Sequence, residues 1–316
     1  MASYRLETLA TDQNFDETAY LLANPDVAQA VKTGTVKSGL SHFHAFGRHE
    51  ARTLRLSLAA PKRQKLARIK PLLRTDLPWV ETPRYYDFLS AELRSQFNII
   101  DTDAVSSNGY DTHALELIQQ YAHGLVLDCG AGKRPVYFDN VINFEIADYD
   151  TTDLRGVGEV LPLIDNAVDA VISIAVLEHV KDPFLCAKEI VRVLKPGGRL
   201  MCCVPFLQPL HGYPHHYYNM TSQGLENLFK DDLKIETVTV YDSILPIWSL
   251  TWILQSWANG LAGKTRQDFL QMRVADLIDN PARYLDRPFV KDLSAAKNLE
   301  LASATVLFAH KPMTSP

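Results

Sequence analysis

The chain has 316 residues, of which 47% are apolar and 22% are charged, and its formal net charge is −5 at pH 7. This composition can bury a sizeable core, so extensive disorder is excluded, and the length fits one large domain with an appendage or two domains. The acidic balance gives no global electrostatic reason to expect a nucleic-acid partner.

The amino terminus has no apolar stretch after a basic patch, so we expect no secretory signal and a cytoplasmic location. No two of the four cysteines have C-x₂-C spacing. We therefore expect buried, reduced thiols at Cys129, Cys186, Cys202 and Cys203. Disulfides and a cysteine zinc site are disfavoured.

Residues 1–54 are expected to form a small helical module. FDETAYLLANPDVAQAVKTG has helical apolar spacing with stop signals at Asn24-Pro25 and Gly34, and a second short helix, GLSHFHAFGRHEAR, follows. His42 and His44 would lie on different faces of that helix, which favours packing or surface roles over metal ligation. The pattern resembles a small module that accompanies bacterial glycan enzymes and some secreted calcium-binding proteins.

Residues 55–110 are expected to be a basic linker and lid. The segment 62–74 is rich in lysine and arginine and has no acidic residue. A solvated linker or helix face is the preferred interpretation. Attraction to an anionic membrane surface, at the inner face of the membrane, is the alternative.

Apolar strands alternate with helices from residue 111 to residue 242. DPFLCAKEIVRVLKPGG is predicted to be an amphipathic helix, and the predicted strands are GLVLDCGAG, VINFEIADY, AVDAVISIAV, RLMCCVPF and LKIETVTVYD. Nearly continuous apolar strands separated by helices indicate an α/β fold with a mostly parallel, doubly wound sheet. Ligands in such sheets bind beyond the carboxyl ends of the strands.

The stretch VLDCGAGKRP is predicted to be a strand that ends in a ligand-binding turn. Gly130 and Gly132 let the backbone after Asp128 turn sharply and approach a ligand. The third glycine of a dinucleotide fingerprint is replaced by Pro135. Glu145, near the end of the next strand, can accept hydrogen bonds from both hydroxyls of a ribose. Turn and acid together favour a nucleoside site over a plain turn followed by an exposed carboxylate.

Residues 124–230 resemble the class I S-adenosylmethionine-dependent methyltransferases. The motifs that carry the resemblance are D-x-G-x-G, the L-P segment of GEVLPLIDNAVD, L-E-H-V and L-K-P-G-G, in that order. The resemblance implies a Rossmann-like, seven-stranded sheet and S-adenosylmethionine as cofactor.

By this resemblance, Asp128, Gly130 and Gly132 surround the methionine part of the cofactor and Glu145 holds its ribose. Gly158 and Glu159 are placed near adenine, and the backbone at Ala175 under the sulfonium. Many relatives have an aspartate where this chain has Val157. Relatives that bind a divalent ion use E-V-L-E-H, and the first acid of that motif is replaced here by Ala175. We therefore expect that no metal binds here and that Glu178 and His179 have structural roles.

The loop PFLQPLHGYPHHYYNMT, residues 205–221, leaves the strand RLMCCVPF over the expected methyl-transfer site. His211, His215 and His216 are the candidate catalytic residues, since imidazole can accept a proton near neutral pH. His215 and His216 are preferred over His211. A proline-fixed scaffold is the alternative. His215 and His216 are adjacent and are expected to point apart, so at most one could join His211, which leaves too few ligands for a metal site.

Residues 243–300 are expected to be an apolar helical insertion, and 301–316 the last core strand and tail. The uncharged segment 243–263 contains three tryptophans, which fits a lid, an acceptor surface or a dimer surface. Its polar residues make it a poor membrane span. Peripheral contact with a membrane, together with 62–74, is the alternative.

The sequence therefore predicts an S-adenosylmethionine-dependent methyltransferase that methylates an oxygen of a glycan or glycan precursor. Another small-molecule acceptor is the first alternative. A non-catalytic scaffold that keeps the fold is the alternative from a different class. No nucleic-acid partner is expected, and an oligomer is compatible with the pattern.

Overall fold

The computed structural model describes residues 1–101, 109–212 and 215–301. The strands are β1 (Ser3–Arg5), β2 (Glu7–Leu9), β3 (Thr53–Arg55), β4 (Val80–Glu81), β5 (Tyr86–Asp87), β6 (Val126–Cys129), β7 (Val136–Phe138), β8 (Val141–Glu145), β9 (Leu154–Arg155), β10 (Val168–Ile174) and β11 (Leu194–Cys203). The α-helices are α1 (Glu17–Ala23), α2 (Pro25–Lys32), α3 (Gly39–His42), α4 (Ala59–Ile69), α5 (Ala91–Gln96), α6 (Thr112–Gln120), α7 (Pro183–Val193), α8 (Ser222–Phe229), α9 (Pro246–Gly260), α10 (Gly263–Leu270), α11 (Pro288–Lys291) and α12 (Ala295–Glu300).

Seven strands form the central sheet in the order β11-β10-β6-β8-β9-β5-β4. All neighbouring pairs are parallel except β4 and β5, which are antiparallel. The predicted Rossmann-like, mostly parallel, seven-stranded α/β fold is confirmed.

Both faces of the sheet are covered. Leu127 and Cys129 of β6 pack into the larger core cluster, which also contains residues of α4, α7 and α8. Val126, on the opposite face of β6, packs with Ala114, Leu117 and Ile118 of α6. The alternation follows from the two-residue period of a strand, and it confirms that the sheet is doubly wound.

Three strands of the central sheet, β4, β5 and β9, lie outside the predicted strands. The predicted strand at 233–242 is absent, and β4 and β5, from the predicted linker and lid, complete the sheet instead. Ile235, Val238 and Val240 are exposed, and no described strand pairs with their backbone. A β-strand needs such a partner for its amide and carbonyl groups. The expected last strand lies in 302–316, outside the described residues.

The interpretation of 62–74 as a solvated or membrane-facing basic segment is wrong for its first half. Lys62 and Lys65 lie on the buried face of α4. The Lys62 ammonium donates to the carbonyls of Asp150 and Thr152, and Lys65 pairs with the buried carboxylate of Asp153 at 2.9 Å. Burial lowers the pKa of both lysines to about 8. Both ammonium groups are buried because the carbonyls of Asp150 and Thr152 and the carboxylate of Asp153 accept their hydrogen bonds inside the core.

The amino-terminal module is helical, with the predicted break between α1 and α2 at Asn24-Pro25. The Nδ1 of His42 lies 3.0 Å from the Tyr20 hydroxyl, within hydrogen-bonding distance, which agrees with the expected role in packing. A feature not predicted is that β1 pairs with β7 of the core, a short strand between the glycine turn and Glu145.

The insertion at 243–300 is helical, as predicted. Its helices α9, α10 and α11 share a small apolar core that includes Ala258, Phe269 and Phe289. Across 1–101, 109–212 and 215–301, none of the helices is both long and apolar enough to cross a membrane.

Candidate functional site

Four strand ends meet at one edge of the sheet. The strands β6, β8, β10 and β11 are mutually parallel, so their carboxyl ends lie on the same side. They carry Asp128, Glu145, Ala175 and the loop 205–221, respectively. The fold therefore brings together the residues predicted for cofactor and acceptor.

The turn after β6 depends on two glycines. Gly130 and Gly132 have φ angles of +87° and +62°, a left-handed conformation that glycine adopts without steric cost. The amides of Gly130 and Ala131 both donate to the carbonyl of Phe144 at 3.0 Å. A Cβ on Gly130 would lie 2.4 Å from Cγ2 of Val176, so this backbone is packed tightly against the end of β10.

Glu145 lies directly against the glycine turn. One carboxylate oxygen accepts the amide of Gly132 at 2.7 Å and the other accepts that of Ile146 at 2.7 Å. Burial raises the pKa of Glu145, and these amide hydrogen bonds oppose the rise. A carboxylate has about four lone-pair sites, so Glu145 can hold the turn and still accept a hydroxyl group.

Asp128 is engaged on one side only. Its Oδ2 accepts from the Tyr110 hydroxyl and from the Arg134 guanidinium, with Nε at 3.0 Å and Nη2 at 2.9 Å. Its Oδ1 is buried without a hydrogen-bond partner among the described residues. Burial also raises the pKa of Asp128. An unsatisfied buried carboxylate oxygen at a strand end is suited to a ligand donor such as an amine.

The residues predicted near adenine have structural contacts in the protein. The Glu159 carboxylate accepts the amides of Lys181 at 3.0 Å and Asp182 at 3.2 Å, and it thereby caps the start of α7. A Cβ on Gly158 would lie 2.7 Å from Sγ of Cys186 in that helix. Val157 packs with Leu89 and Phe97. Adenine contacts by Gly158 and Glu159 stay a prediction.

Ala175 is strained. It follows the last residue of β10 with a φ of +56°, although it carries a Cβ, and its amide donates to the carbonyl of Cys203 at 2.9 Å. Non-glycine residues in this conformation cost about 1 kcal/mol and are concentrated at functional sites. This conformation turns the chain between the glycine turn and the loop 205–221, where the sulfonium is expected.

The loop 205–221 is attached to the end of β10 by backbone hydrogen bonds. The amides of Tyr217 and Tyr218 donate to the carbonyl of Glu178 at 2.6 and 3.2 Å. The Nδ1 of His179 is 2.7 Å from the carbonyl of His215. The prediction that the loop lies beyond this strand edge agrees with these contacts.

The three loop histidines differ in what their rings contact. His216 uses both nitrogens: Nδ1 accepts the amide of His211 at 3.0 Å, and Nε2 donates to the Asn219 amide oxygen at 2.9 Å. His215 is 2.8 Å by Nε2 from the carbonyl of Asn98. His211 donates by Nδ1 to the carbonyl of Pro209 at 2.9 Å, which leaves Nε2 available. The free Nε2 favours His211 over His215 and His216, and the identity of the catalytic histidine stays a prediction.

Of the adjacent pair His215 and His216, only His216 joins His211, and Glu178 and His179 lie beside His211 as well. The rings of His211 and His216 are 4.3 Å apart, and the ring of His179 lies 5.3 Å from that of His211. Glu178, His179 and His211 bring ligand-type atoms within 4.8 Å of one another. The sequence motif L-E-H-V contained the first two members. The third was missed because it belongs to a loop whose path is set by tertiary contacts.

Burial shapes the electrostatics of this cluster. It raises the pKa of Glu178 to about 7 and lowers the pKa of His179 and of His211 below the usual histidine range. Trp252 of α9 covers the outer side, with its ring 5.0 Å from that of His211. The insertion thus closes part of the site.

Residues 129–202 match a family model described as a methyltransferase domain. An uncharacterised methyltransferase of Mycobacteroides abscessus is 40% identical over 77 residues, which is 23% of this chain and 30% of that relative. An uncharacterised methyltransferase of Mycobacterium tuberculosis is 50% identical over 50 residues, 16% of this chain and 20% of the relative. The chain thus spans less than a third of the length of these curated relatives.

Solved structures also resemble the chain, at low identity. The YcgJ protein of Bacillus subtilis is 18% identical with a TM-score of 0.31, over 50% of this chain and 88% of that one. A 1,6-didemethyltoxoflavin N1-methyltransferase of Burkholderia thailandensis, with bound S-adenosylhomocysteine, is 16% identical with a TM-score of 0.28. The match covers 37% of this chain and 64% of that one. The family model spans the motifs from the glycine turn to L-K-P-G-G and confirms the predicted family and cofactor for this part of the chain: residues 129–202 belong to a class I, S-adenosylmethionine-dependent methyltransferase domain.

Proposed function

We propose that the protein transfers a methyl group from S-adenosylmethionine to a hydroxyl oxygen of a small acceptor, a glycan or a glycan precursor. The observation that carries the proposal is the turn at Gly130 and Gly132 held against the buried Glu145. S-adenosylmethionine supplies, when bound, a methyl group made electrophilic by its sulfonium.

The residues of the turn fit this cofactor. The Oδ1 atom of Asp128 is a buried acceptor that the ammonium group of a methionine moiety would satisfy. The remaining acceptor capacity of the Glu145 carboxylate is suited to a ribose hydroxyl. Ala175, left-handed and exposed just after β10, leaves little side-chain bulk where the methyl group is expected.

The proton of the acceptor hydroxyl has to leave as the oxygen attacks the methyl carbon. His211 carries a ring nitrogen without a hydrogen-bond partner among the described residues, and burial keeps its pKa low enough for the neutral form at pH 7. A neutral imidazole is the form that accepts a proton. We assign the proton acceptor to the His179–His211 pair, and His216 positions it by accepting the amide of His211.

Support for a glycan acceptor comes from the aromatic surroundings of this pair. Tyr217, Tyr218 and Trp252 are at least 37% exposed, and they lie on the loop and on α9 beside the histidines. Exposed aromatic faces next to hydrogen-bonding groups suit sugar rings. The resemblance of residues 1–54 to modules found beside glycan enzymes points to the same class. Another small hydroxylated acceptor fits the same residues.

Titration calorimetry with S-adenosylmethionine tests the cofactor half. We expect micromolar binding, reduced tens- to hundreds-fold by Glu145→Ala, since losing hydrogen bonds to a charged group costs about 1.5–3 kcal/mol. Glu145→Gln, which keeps the size of the side chain, separates affinity from folding. Glu116→Ala is the control, because that carboxylate is 69% exposed on α6. Binding of NAD instead, or unchanged affinity in Glu145→Ala, would refute the assignment.

A further inference from the structure

We infer that Glu178, His179 and His211 form a binding site for one divalent transition-metal ion. The site would be built from the end of β10 and the loop that follows β11. Its existence does not depend on the proposed acceptor, whereas the role given to the ion below rests on the proposed function.

The three side chains already point at a common centre. Their ligand atoms lie within 4.8 Å of one another, and Nε2 of His179 is 3.7 Å from Oε1 of Glu178. Nitrogen and oxygen ligands of one ion, at bond lengths of about 2.0–2.2 Å, stand roughly 3–4 Å apart. Small side-chain rotations therefore suffice to close the set around an ion.

The imidazoles are oriented as metal ligands usually are. The Nδ1 atoms of His179 and His211 each lie within 2.9 Å of a backbone carbonyl, those of His215 and Pro209. A carbonyl accepts only, so each Nδ1 carries the proton and each Nε2 presents a lone pair. A second nitrogen held by a carbonyl is the usual support of a metal-bound histidine, because it fixes the tautomer and the ring orientation.

Glu178 supplies the second, independent observation. Its side chain is fully buried, and neither carboxylate oxygen has a hydrogen-bond partner among the described residues. The nearest charged partner would be His179 at 3.7 Å, beyond hydrogen-bonding distance. A buried carboxylate without a partner is costly unless a cation satisfies it. The packing of His179 against Gly212, where a Cβ would lie 2.4 Å from the ring, keeps that side of the site closed.

The ligand set selects the kind of ion. Two imidazoles and one carboxylate suit Zn²⁺, Co²⁺, Fe²⁺ or Mn²⁺, whereas Mg²⁺ and Ca²⁺ prefer oxygen ligands. His216 is not counted as a ligand because both of its nitrogens are engaged. With three protein ligands, such an ion keeps positions open for water or substrate.

An ion at this place would change how the acceptor hydroxyl is activated. Nε2 of His211 would bind the metal rather than take the proton. The metal would lower the pKa of a coordinated hydroxyl, whose proton passes to solvent as the O–C bond forms and the S–C bond breaks. Hydroxylated acceptors would then bind through an oxygen beside the covering ring of Trp252.

The test is a titration of the full-length protein, first dialysed against a chelator, with Zn²⁺ by calorimetry and with Co²⁺ by visible absorption. We expect one equivalent at micromolar affinity or tighter and an increase in melting temperature on saturation. Glu178→Gln, nearly isosteric, and His211→Ala, in a surface loop, should each weaken binding at least about a hundredfold, the upper end of the loss caused by removing an outer-shell partner.

His215→Ala is the matched control for metal affinity. It lies in the same loop, its ring contacts Asn98, and its contact with His179 is made by the backbone, which alanine retains. Wild-type affinity is expected for this variant. Failure of both ions to bind at micromolar concentration, or equal affinity in wild type, Glu178→Gln and His211→Ala, would overturn the site. S-adenosylmethionine is titrated in parallel, so that loss of cofactor binding alone would refute the proposed function and leave the metal site standing.

Discussion

Gly130→Ala tests the packing of the glycine turn, because the substitution adds two separable penalties. The first is the left-handed backbone, φ +87°, which costs an L-residue about 1–2 kcal/mol. The second is the contact of the new Cβ with Val176 at 2.4 Å, and overpacking of this kind costs about 1–3 kcal/mol. The expected loss in the free energy of unfolding is therefore about 2–5 kcal/mol.

Two further variants separate these penalties. Gly197 has a φ of +78°, but no atom lies within 4 Å of the position that a Cβ would take there, so Gly197→Ala should show the backbone cost alone. Adding Val176→Ala to Gly130→Ala removes the clashing methyl groups and should restore about 1–2 kcal/mol relative to the sum of the single variants. Urea unfolding monitored by circular dichroism gives these energies. Gly130→Ala no less stable than Gly197→Ala would refute the close approach of the two strand ends.

Two more substitutions test neighbouring parts of the structure. Ala175→Gly removes the strain of a left-handed alanine, so thermal unfolding should show a gain of about 1 kcal/mol; a loss of stability would mean that the conformation at φ +56° is wrong. Lys65→Met leaves the buried carboxylate of Asp153 without its cation and should lower the free energy of unfolding by about 3–5 kcal/mol in chemical denaturation. Arg63→Met, at an exposed position of α4, is the control and should change stability little. Equal stability of the two variants would contradict the buried pair.

Four strands of the sheet, and the candidate site at their carboxyl ends, were predictable from the sequence because they are encoded locally. Continuous apolar strands identified β6, β8, β10 and β11. The glycines at 130 and 132 are required by the backbone conformation that the turn adopts, and both have positive φ angles. Motif order then identified the family: D-x-G-x-G begins in β6, L-E-H-V follows β10, and L-K-P-G-G begins β11 of the same parallel sheet.

The failures arise where tertiary contacts override local pattern. The basic run at 62–74 has the composition of a solvated face, but Lys65 is buried because Asp153 supplies a carboxylate inside the core. The alternating segment 233–242 has the pattern of a strand, but no described strand accepts its backbone. Residues 79–87 lack strong strand periodicity and still form β4 and β5, because β9 provides a template.

The histidine cluster shows the same limit at the level of the site. Adjacent residues such as His215 and His216 were expected to point apart, and they do contact different groups, Asn98 and Asn219. The meeting of His211 with His179 and Glu178 depends on how the loop folds back over β10. No residue spacing encodes that contact.

Methyl transfer itself is the most direct test of the central claim. The protein is incubated with methyl-labelled S-adenosylmethionine and with fractions of polysaccharide, glycolipid precursors and small metabolites, and the label in each fraction is counted. The proposed function predicts label in a hydroxylated, carbohydrate-containing fraction, with formation of S-adenosylhomocysteine and at least about a hundredfold slower transfer by His211→Ala at unchanged cofactor affinity. Tight binding of the cofactor without transfer to any fraction would contradict the proposal and favour a non-catalytic scaffold.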